Sequence, residues 1–223
     1  MSKNLWIIAN WKSNKNLAEA IAWIDEVGPQ LEKRENIKVV VCPPFTDIEE
    51  VKKRIMVSNF PIMVGSQDLS SFDEGAYTGE EAAKILTDIV DLSILGHSER
   101  RQNFNETDEI VAEKVEQAKK HNIIPLVCVQ NSDTPVPDVN LVAYEPVSAI
   151  GTGNPDTADN AGNVAGELKE KHGESLEVLY GGSVTSENAK PFLQNENLNG
   201  LLVGGASLDA SEFLKIVQVA YLI

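Results

Sequence analysis

The chain has little that would staple, anchor or metallate it. Only two cysteines occur among 223 residues, Cys42 and Cys128. Both lie in apolar runs, "VVVCPP" and "IIPLVCVQ", so they read as buried free thiols and imply no disulfide framework. No apolar run approaches the ~18 residues that a membrane helix needs. "LWIIA" is too short, and too soon followed by polar residues, to read as a secretion signal. The expected compartment is the cytoplasm. The three histidines, His97, His121 and His172, show no metal-ligand spacing, so no metal is expected. Basic residues are outnumbered, 19 Lys and Arg against 34 Asp and Glu, for a formal charge of −15. Such a chain repels nucleic acid and anionic membranes. An anionic small molecule would need a local positive site set against that field. No linker-like stretch, composition shift or low-complexity segment divides the sequence, so residues 1–223 read as one domain.

What is present is alternation. Eight short apolar runs recur: "LWIIAN" (5–10), "KVVVC" (38–42), "FPIMVGS" (60–66), "DLSILG" (91–96), "IIPLVCV" (123–129), "NLVAYE" (140–145), "LEVLYG" (176–181) and "NGLLVG" (199–204). Most are continuous, as expected of strands buried on both faces. Helical stripes separate them. Leu17, Ala20, Ile21, Ile24 and Val27 follow helical spacing, with Asn16 and Glu19 as a cap pair. Ile110, Val111, Val115 and Ala118 form a second stripe. Asn154-Pro155 reads as an N-cap and first helical residue. Asp209 and Glu212 open a last helix carrying Phe213, Ile216, Val217 and Ala220.

Repeated strand-helix units imply parallel strands joined by right-handed crossovers. Eight of them imply a closed (β/α)8 TIM barrel, with a doubly wound open sheet as the alternative. One unit is incomplete. "VQNSDTPVPDVN" (129–140) carries Pro135 and Pro137 and no helical stripe, so the fifth helix is reduced or missing. That gap is expected to leave apolar surface that another subunit would cover.

In such a barrel the C-terminal strand ends form the active face. Here those ends carry Asn10 and Lys12, His97 and Glu99, Glu145, "GTG" (151–153), "GGS" (181–183) and "VGG" (203–205). Singly, each has an ordinary reading. Lys12 could be a solvated lysine and His97 a structural histidine. Glu99, Arg100 and Arg101 could be a rim ion-pair cluster, and the glycines simple turns. Their shared end of successive strands is the stronger observation. Glycine also lets backbone N–H groups approach a phosphate closely. The loops after strands seven and eight are where phosphate sites of this fold often lie.

Together, "NWK" (10–12), "GHSERR" (96–101), "AYEPVSAIGTG" (143–153), "YGGSV" (180–184) and "LLVGGASL" (201–208) resemble the triosephosphate isomerase family, in family order and over nearly the whole chain. The resemblance implies interconversion of dihydroxyacetone phosphate and D-glyceraldehyde 3-phosphate through an enediolate, in glycolysis and gluconeogenesis, without metal or redox cofactor. It implies Glu145 as general base and His97 as neutral electrophile. Lys12 would be the substrate-binding cation, with Asn10 as a nearby donor. Gly151, Ser183, Gly204 and Gly205 would hold phosphate. Residues 146 to about 156 would form a lid, with Ile150 and Leu202 closing over Glu145. Glu99 would pair with Lys12, Ser98 would hold the Glu145 carboxylate, and Cys128 would stand behind the site. Ser148 replaces the commonest residue of the lid hinge, tryptophan. The missing helix is similar to the short, archaeal-type branch. The loop "SSFDEGAYTGEE" (70–81), matching a segment that reaches into a partner subunit, implies a dimer, and the fifth unit suggests a homotetramer built from dimers. A phosphosugar lyase or aldolase on the same scaffold is the rival enzyme, though a Schiff-base aldolase would want lysine at Glu145. A non-catalytic phosphate-metabolite binder would need no base.

Overall fold

The computed structural model describes residues 3–146 and 154–223. Its elements run β1 (Leu5–Asn10), α1 (Leu17–Val27), β2 (Ile37–Cys42), α2 (Ile48–Ser58), β3 (Met63–Ser66), α3 (Ala83–Leu86), β4 (Leu92–Leu95) and α4 (Ser98–Phe104). They continue with α5 (Asp108–Lys120), β5 (Ile124–Val129), β6 (Leu141–Tyr144), α6 (Ala158–His172), β7 (Glu177–Tyr180), α7 (Ala189–Gln194), β8 (Gly200–Val203) and α8 (Ala210–Tyr221). The eight strands are parallel and close into a barrel, β8 pairing with β1 from Trp6–Gly200 to Ala9–Val203. Closure excludes the open-sheet alternative.

The continuous apolar runs have a plain cause. One set of alternate residues, including Ile8, Val40, Ile94, Leu126, Ala143, Leu179 and Leu202, fills the barrel interior. The other set, including Ile7, Val39, Leu95, Val127, Val142, Val178 and Leu201, packs under the helices. Both faces are buried, so neither can be polar. Gly200 opens β8 at φ +144°, where a Cβ would lie 2.0 Å from the Trp6 carbonyl oxygen, so only glycine fits the closing pair.

The caps of α1 and α8 are as expected. The Asn16 side chain accepts the Glu19 N–H at 3.1 Å and Glu19 accepts the Asn16 N–H at 2.8 Å. Asp209 accepts the Glu212 N–H at 2.8 Å. The start of α6 corrects the Asn154-Pro155 expectation. Thr157 is the N-cap, its hydroxyl accepting the Asn160 N–H at 3.1 Å. Asp156, just before it, is committed to Tyr144 and Tyr180, and the helical turn starts only afterwards.

Between β5 and β6 no helix forms, as expected. The segment runs as a strap pinned on both sides. Lys119 of α5 reaches Asp138 at 2.7 Å, Lys171 of α6 reaches Asp133 at 2.7 Å, and Ser132 donates to Glu167 at 2.5 Å. Val136 and Val139 pack onto the core, and Val127, Val129, Val142 and Tyr144 beneath are buried. The strap, with α5 and α6, covers these outward-facing side chains. Most of the expected apolar face is therefore covered, leaving a depression lined by Ile124, Pro125, Val139 and Leu141 beside the start of β5.

Candidate active site

Asn10, Lys12, His97, Glu145, Ser183, Leu202, Gly204 and Gly205 line one cavity of about 540 Å³ at the C-terminal strand ends. Ile150, Gly151 and most of the expected lid, including Ser148, lie outside the described residues. In "NWK" the neighbours face opposite ways. Trp11 is fully buried against Trp23 at 5.0 Å, which anchors the strand end. Lys12 adopts a left-handed backbone, φ +53°, a conformation that costs energy and collects at functional sites. Its N–H donates to Asn10 Oδ1 at 3.0 Å, and Gln67 donates to its carbonyl at 2.8 Å. The Lys12 ammonium is paired with Glu99, as expected.

His97 caps α4. Its Nδ1 accepts the Glu99 N–H at 3.2 Å. A nitrogen that accepts carries no proton, so the neutral ring holds its proton on Nε2, 3.0 Å from Glu145 Oε1. Burial pulls the His97 pKa down, but the Glu145 carboxylate outweighs it, and the net movement is upward. For Glu145 burial pushes up, while His97, the Ser98 N–H and Lys12 together pull further down, so its pKa is lowered. The carboxylate is only 2% exposed.

Ser98 does hold Glu145, but through its backbone N–H, 3.0 Å from Oε2. Its buried hydroxyl has no hydrogen-bond partner among the described residues. Cys128 is buried on β5, close enough to Glu145 for the carboxylate to act on its thiol. Burial, then the Glu145 charge, raises the thiol pKa well above its usual value, so the sulfur stays protonated.

A group that sequence reasoning missed stands behind His97. Gly96, at φ +69°, gives its N–H to Glu106 at 3.0 Å and accepts from Arg101 at 2.8 Å. Glu106 is held by Arg100 at 2.6 Å and Lys114 at 3.0 Å, and Lys114 also meets Asp68 at 2.7 Å. Burial raises the Asp68 pKa to about 6 although Lys114 opposes it. Burial also pushes Glu106 up, but Lys114 and Arg100 prevail and hold it below its usual value. One signal was legible: Lys114 lies on the Val111, Val115, Ala118 stripe, where a charge needs a buried partner.

Nearly the whole chain matches the family model described as triosephosphate isomerase, over residues 5–136 and 133–220. The chain belongs to the triosephosphate isomerase family. The match divides at residues 133–136, inside the strap. The triosephosphate isomerase of Alkaliphilus oremlandii is 38% identical over 245 aligned positions, covering 95% of this chain and 98% of the relative. That of Dehalococcoides mccartyi is 35% identical over 250 positions, covering 99% and 98%. The crystal structure of triosephosphate isomerase from Bartonella henselae superposes with a TM-score of 0.82 at 26% identity, covering 98% of this chain and 99% of that one. Among the described residues no helix is long and apolar enough to cross a membrane.

Proposed function

We propose that Glu145, His97, Lys12 and Asn10 carry the family reaction, the interconversion of dihydroxyacetone phosphate and D-glyceraldehyde 3-phosphate. The observation that carries this assignment is the Glu145–His97 contact at 3.0 Å, buried in a cavity that also holds Lys12 and the glycine loops. Ser183, Gly204 and Gly205 take the phosphate, and the substrate carbons then lie between carboxylate and imidazole. Separating the pair removes the largest downward pull on Glu145 and the upward push on His97. Glu145 becomes a stronger base, and His97 meets the substrate as the neutral imidazole. Glu145 takes a proton from the carbon beside the carbonyl and returns it to the neighbouring carbon. His97 gives its Nε2 proton to the carbonyl oxygen and takes the proton of the neighbouring hydroxyl, so a proton passes between the oxygens as one passes between the carbons, and Lys12 offsets the enediolate charge. Ile150, Gly151 and the segment 146–156 are assigned to the lid that excludes water.

A coupled assay following glyceraldehyde 3-phosphate formed from dihydroxyacetone phosphate tests the assignment. Turnover is expected without added metal or cofactor, and no turnover by the purified chain would overturn it.

The finer expectations belong to the same proposal. Residues 1–223 form one catalytic domain, working in the cytoplasm. Phe72 and Tyr77 of the loop after β3 stack at 4.2 Å while each is 45% exposed. A second depression, lined by Phe45, Gln67, Glu99 and Phe104, lies beside Lys12 and His97. Exposed aromatics and a depression on one chain favour a dimer in which each copy fills the other's socket. Two dimers form the tetramer, for which the fifth unit offers the depression lined by Ile124, Pro125, Val139 and Leu141. Sedimentation equilibrium should give multiples of 24.3 kDa; a monomer mass would overturn both states, and a dimer mass the tetramer alone.

A further inference from the structure

We propose that Lys15 is a positioning residue for the phosphate end of the substrate, holding the turn Gly205–Leu208 against the segment that carries Lys12. The proposal rests on the reading of Gly204 and Gly205 as phosphate-binding residues. Among the described residues, six other than glycine have a left-handed backbone. Three are asparagines, Asn59, Asn105 and Asn122, which tolerate it. The others are Lys12 at φ +53°, Ser183 at φ +45° and Lys15 at φ +70°. Lys12 and Ser183 line the catalytic cavity, and Lys15 does not. A lysine held in this conformation persists only where surrounding contacts over-determine it.

Those contacts lead to the turn after β8. The Asn14 side chain donates to the Trp11 carbonyl at 2.8 Å and closes the chain into a bend just after Lys12. The bend brings the Lys15 ammonium 5.4 Å from the centre of the Trp11 ring. From there it donates to the Leu208 carbonyl at 2.9 Å. Leu208 ends the turn that follows Gly204, and the front of that turn, Gly204 to Ala206, lines the cavity. Its carbonyls are held one by one. The Ser207 hydroxyl donates to Gly204 at 2.7 Å, the Trp23 indole donates to Ser207 at 3.0 Å, and Lys15 takes Leu208. Ser207 and Trp23 are buried and neutral. Lys15 alone of the three brings a charge, and it meets the last carbonyl, where a cation is favoured. How the rear of the turn is held decides where the N–H groups at its front point. Gly204 also lies close to Lys12: a Cβ there would come within 3.4 Å of Lys12 Cε. One short segment therefore presents two lysines. Lys12 enters the cavity, and Lys15 passes outside it to fix the turn that Lys12 faces.

The test compares Lys15→Met, Lys15→Gly and Lys15→Arg with the unaltered enzyme. Lys15→Met keeps the apolar stem and removes the donor. It should raise KM for dihydroxyacetone phosphate and the inhibition constant of inorganic phosphate about fivefold each, with kcat within about twofold, as expected for a lost binding interaction. Lys15→Gly relieves the backbone, so it should weaken phosphate to the same extent without melting below Lys15→Met. Lys15→Arg restores a charged donor and should recover both constants. Isomerisation of D-glyceraldehyde, which has no phosphate, should be unchanged in all three variants. Wild-type phosphate inhibition in Lys15→Met or Lys15→Gly would overturn the proposal. So would an equal loss on D-glyceraldehyde, phosphate affinity that only follows the melting temperature across the three variants, or a smaller mass than the unaltered enzyme in sedimentation. Inorganic phosphate that fails to compete with substrate in the unaltered enzyme would instead overturn the reading of Gly204 and Gly205.

Discussion

His97 and Glu145 face each other across 3.0 Å, yet the strand ends that present them are held by different chemistry. Behind His97 the end of β4 is braced by buried charge: Glu106 and Arg101 grip Gly96, and Lys114, Arg100 and Asp68 complete the network. Behind Glu145 the end of β6 is braced by phenols and one carboxylate, with a polar strap outside. A buried network tolerates no missing member, because each loss strands an opposite charge. An exposed strap contributes little per contact. His97 is therefore held by interactions that are costly to break. Glu145, the proposed base, is held by lighter ones.

The largest effect should come from breaking the pair itself. Glu145→Gln keeps shape and removes basicity, so kcat should fall at least ~10²-fold while an unreactive phosphate, glycerol 3-phosphate, still binds. His97→Gln should also lower kcat. Turnover near the wild-type rate in either variant would remove that residue from the mechanism.

The next effect sharpens the asymmetry between the two braces. Glu106→Ala leaves the Gly96 N–H without its acceptor and leaves Lys114 and Arg100 sharing Asp68 alone, and should cost roughly 3–5 kcal/mol in urea unfolding. Lys171→Ala cuts the strap from α6, where the partner Asp133 is exposed, and should leave the unfolding midpoint almost unchanged. Equal losses would show that the two regions are not differently held.

The smallest effect is a pH signature of the resting pair. The Glu145 pKa is depressed on folding, so its contribution is present above the unfolded carboxylate value and lost as pH falls through the folded one. The His97 pKa is raised, so its contribution is present below the unfolded imidazole value and lost as pH rises through the folded one. The melting-temperature advantage of wild type over Glu145→Gln should therefore peak between the ordinary carboxylate and histidine values, near pH 5–6, and shrink on both sides. A difference that does not vary with pH would mean the pair is not coupled in the folded protein.

Much of this was legible in the sequence because it is local. Strands buried on both faces must be continuous apolar runs, and all eight were found. The Asn16–Glu19 and Asp209–Glu212 caps depend on residues three apart. Strand-end polarity placed Asn10, Lys12, His97 and Glu145 on one rim once closure was assumed. What failed depends on distant partners. Asn154-Pro155 is a sound local start signal, but Asp156 is bound to Tyr144 and Tyr180, and Thr157 takes the cap. Lys114 reads as one more charge on a solvated helix until its place on the Val111 stripe is noticed, and Asp68 lies 46 positions away. The strap looked like missing cover because its polar anchors, Lys119 and Lys171, belong to neighbouring helices.

The most direct test is the titration of His97 by nitrogen NMR, with and without glycerol 3-phosphate. In the free protein neutral His97 should carry its proton on Nε2 and titrate above the ordinary histidine value, because Glu145 lies against it. With the phosphate bound, the pair should separate and the His97 pKa should fall. A neutral ring protonated on Nδ1, or a pKa that stays or rises when the ligand binds, would contradict the account.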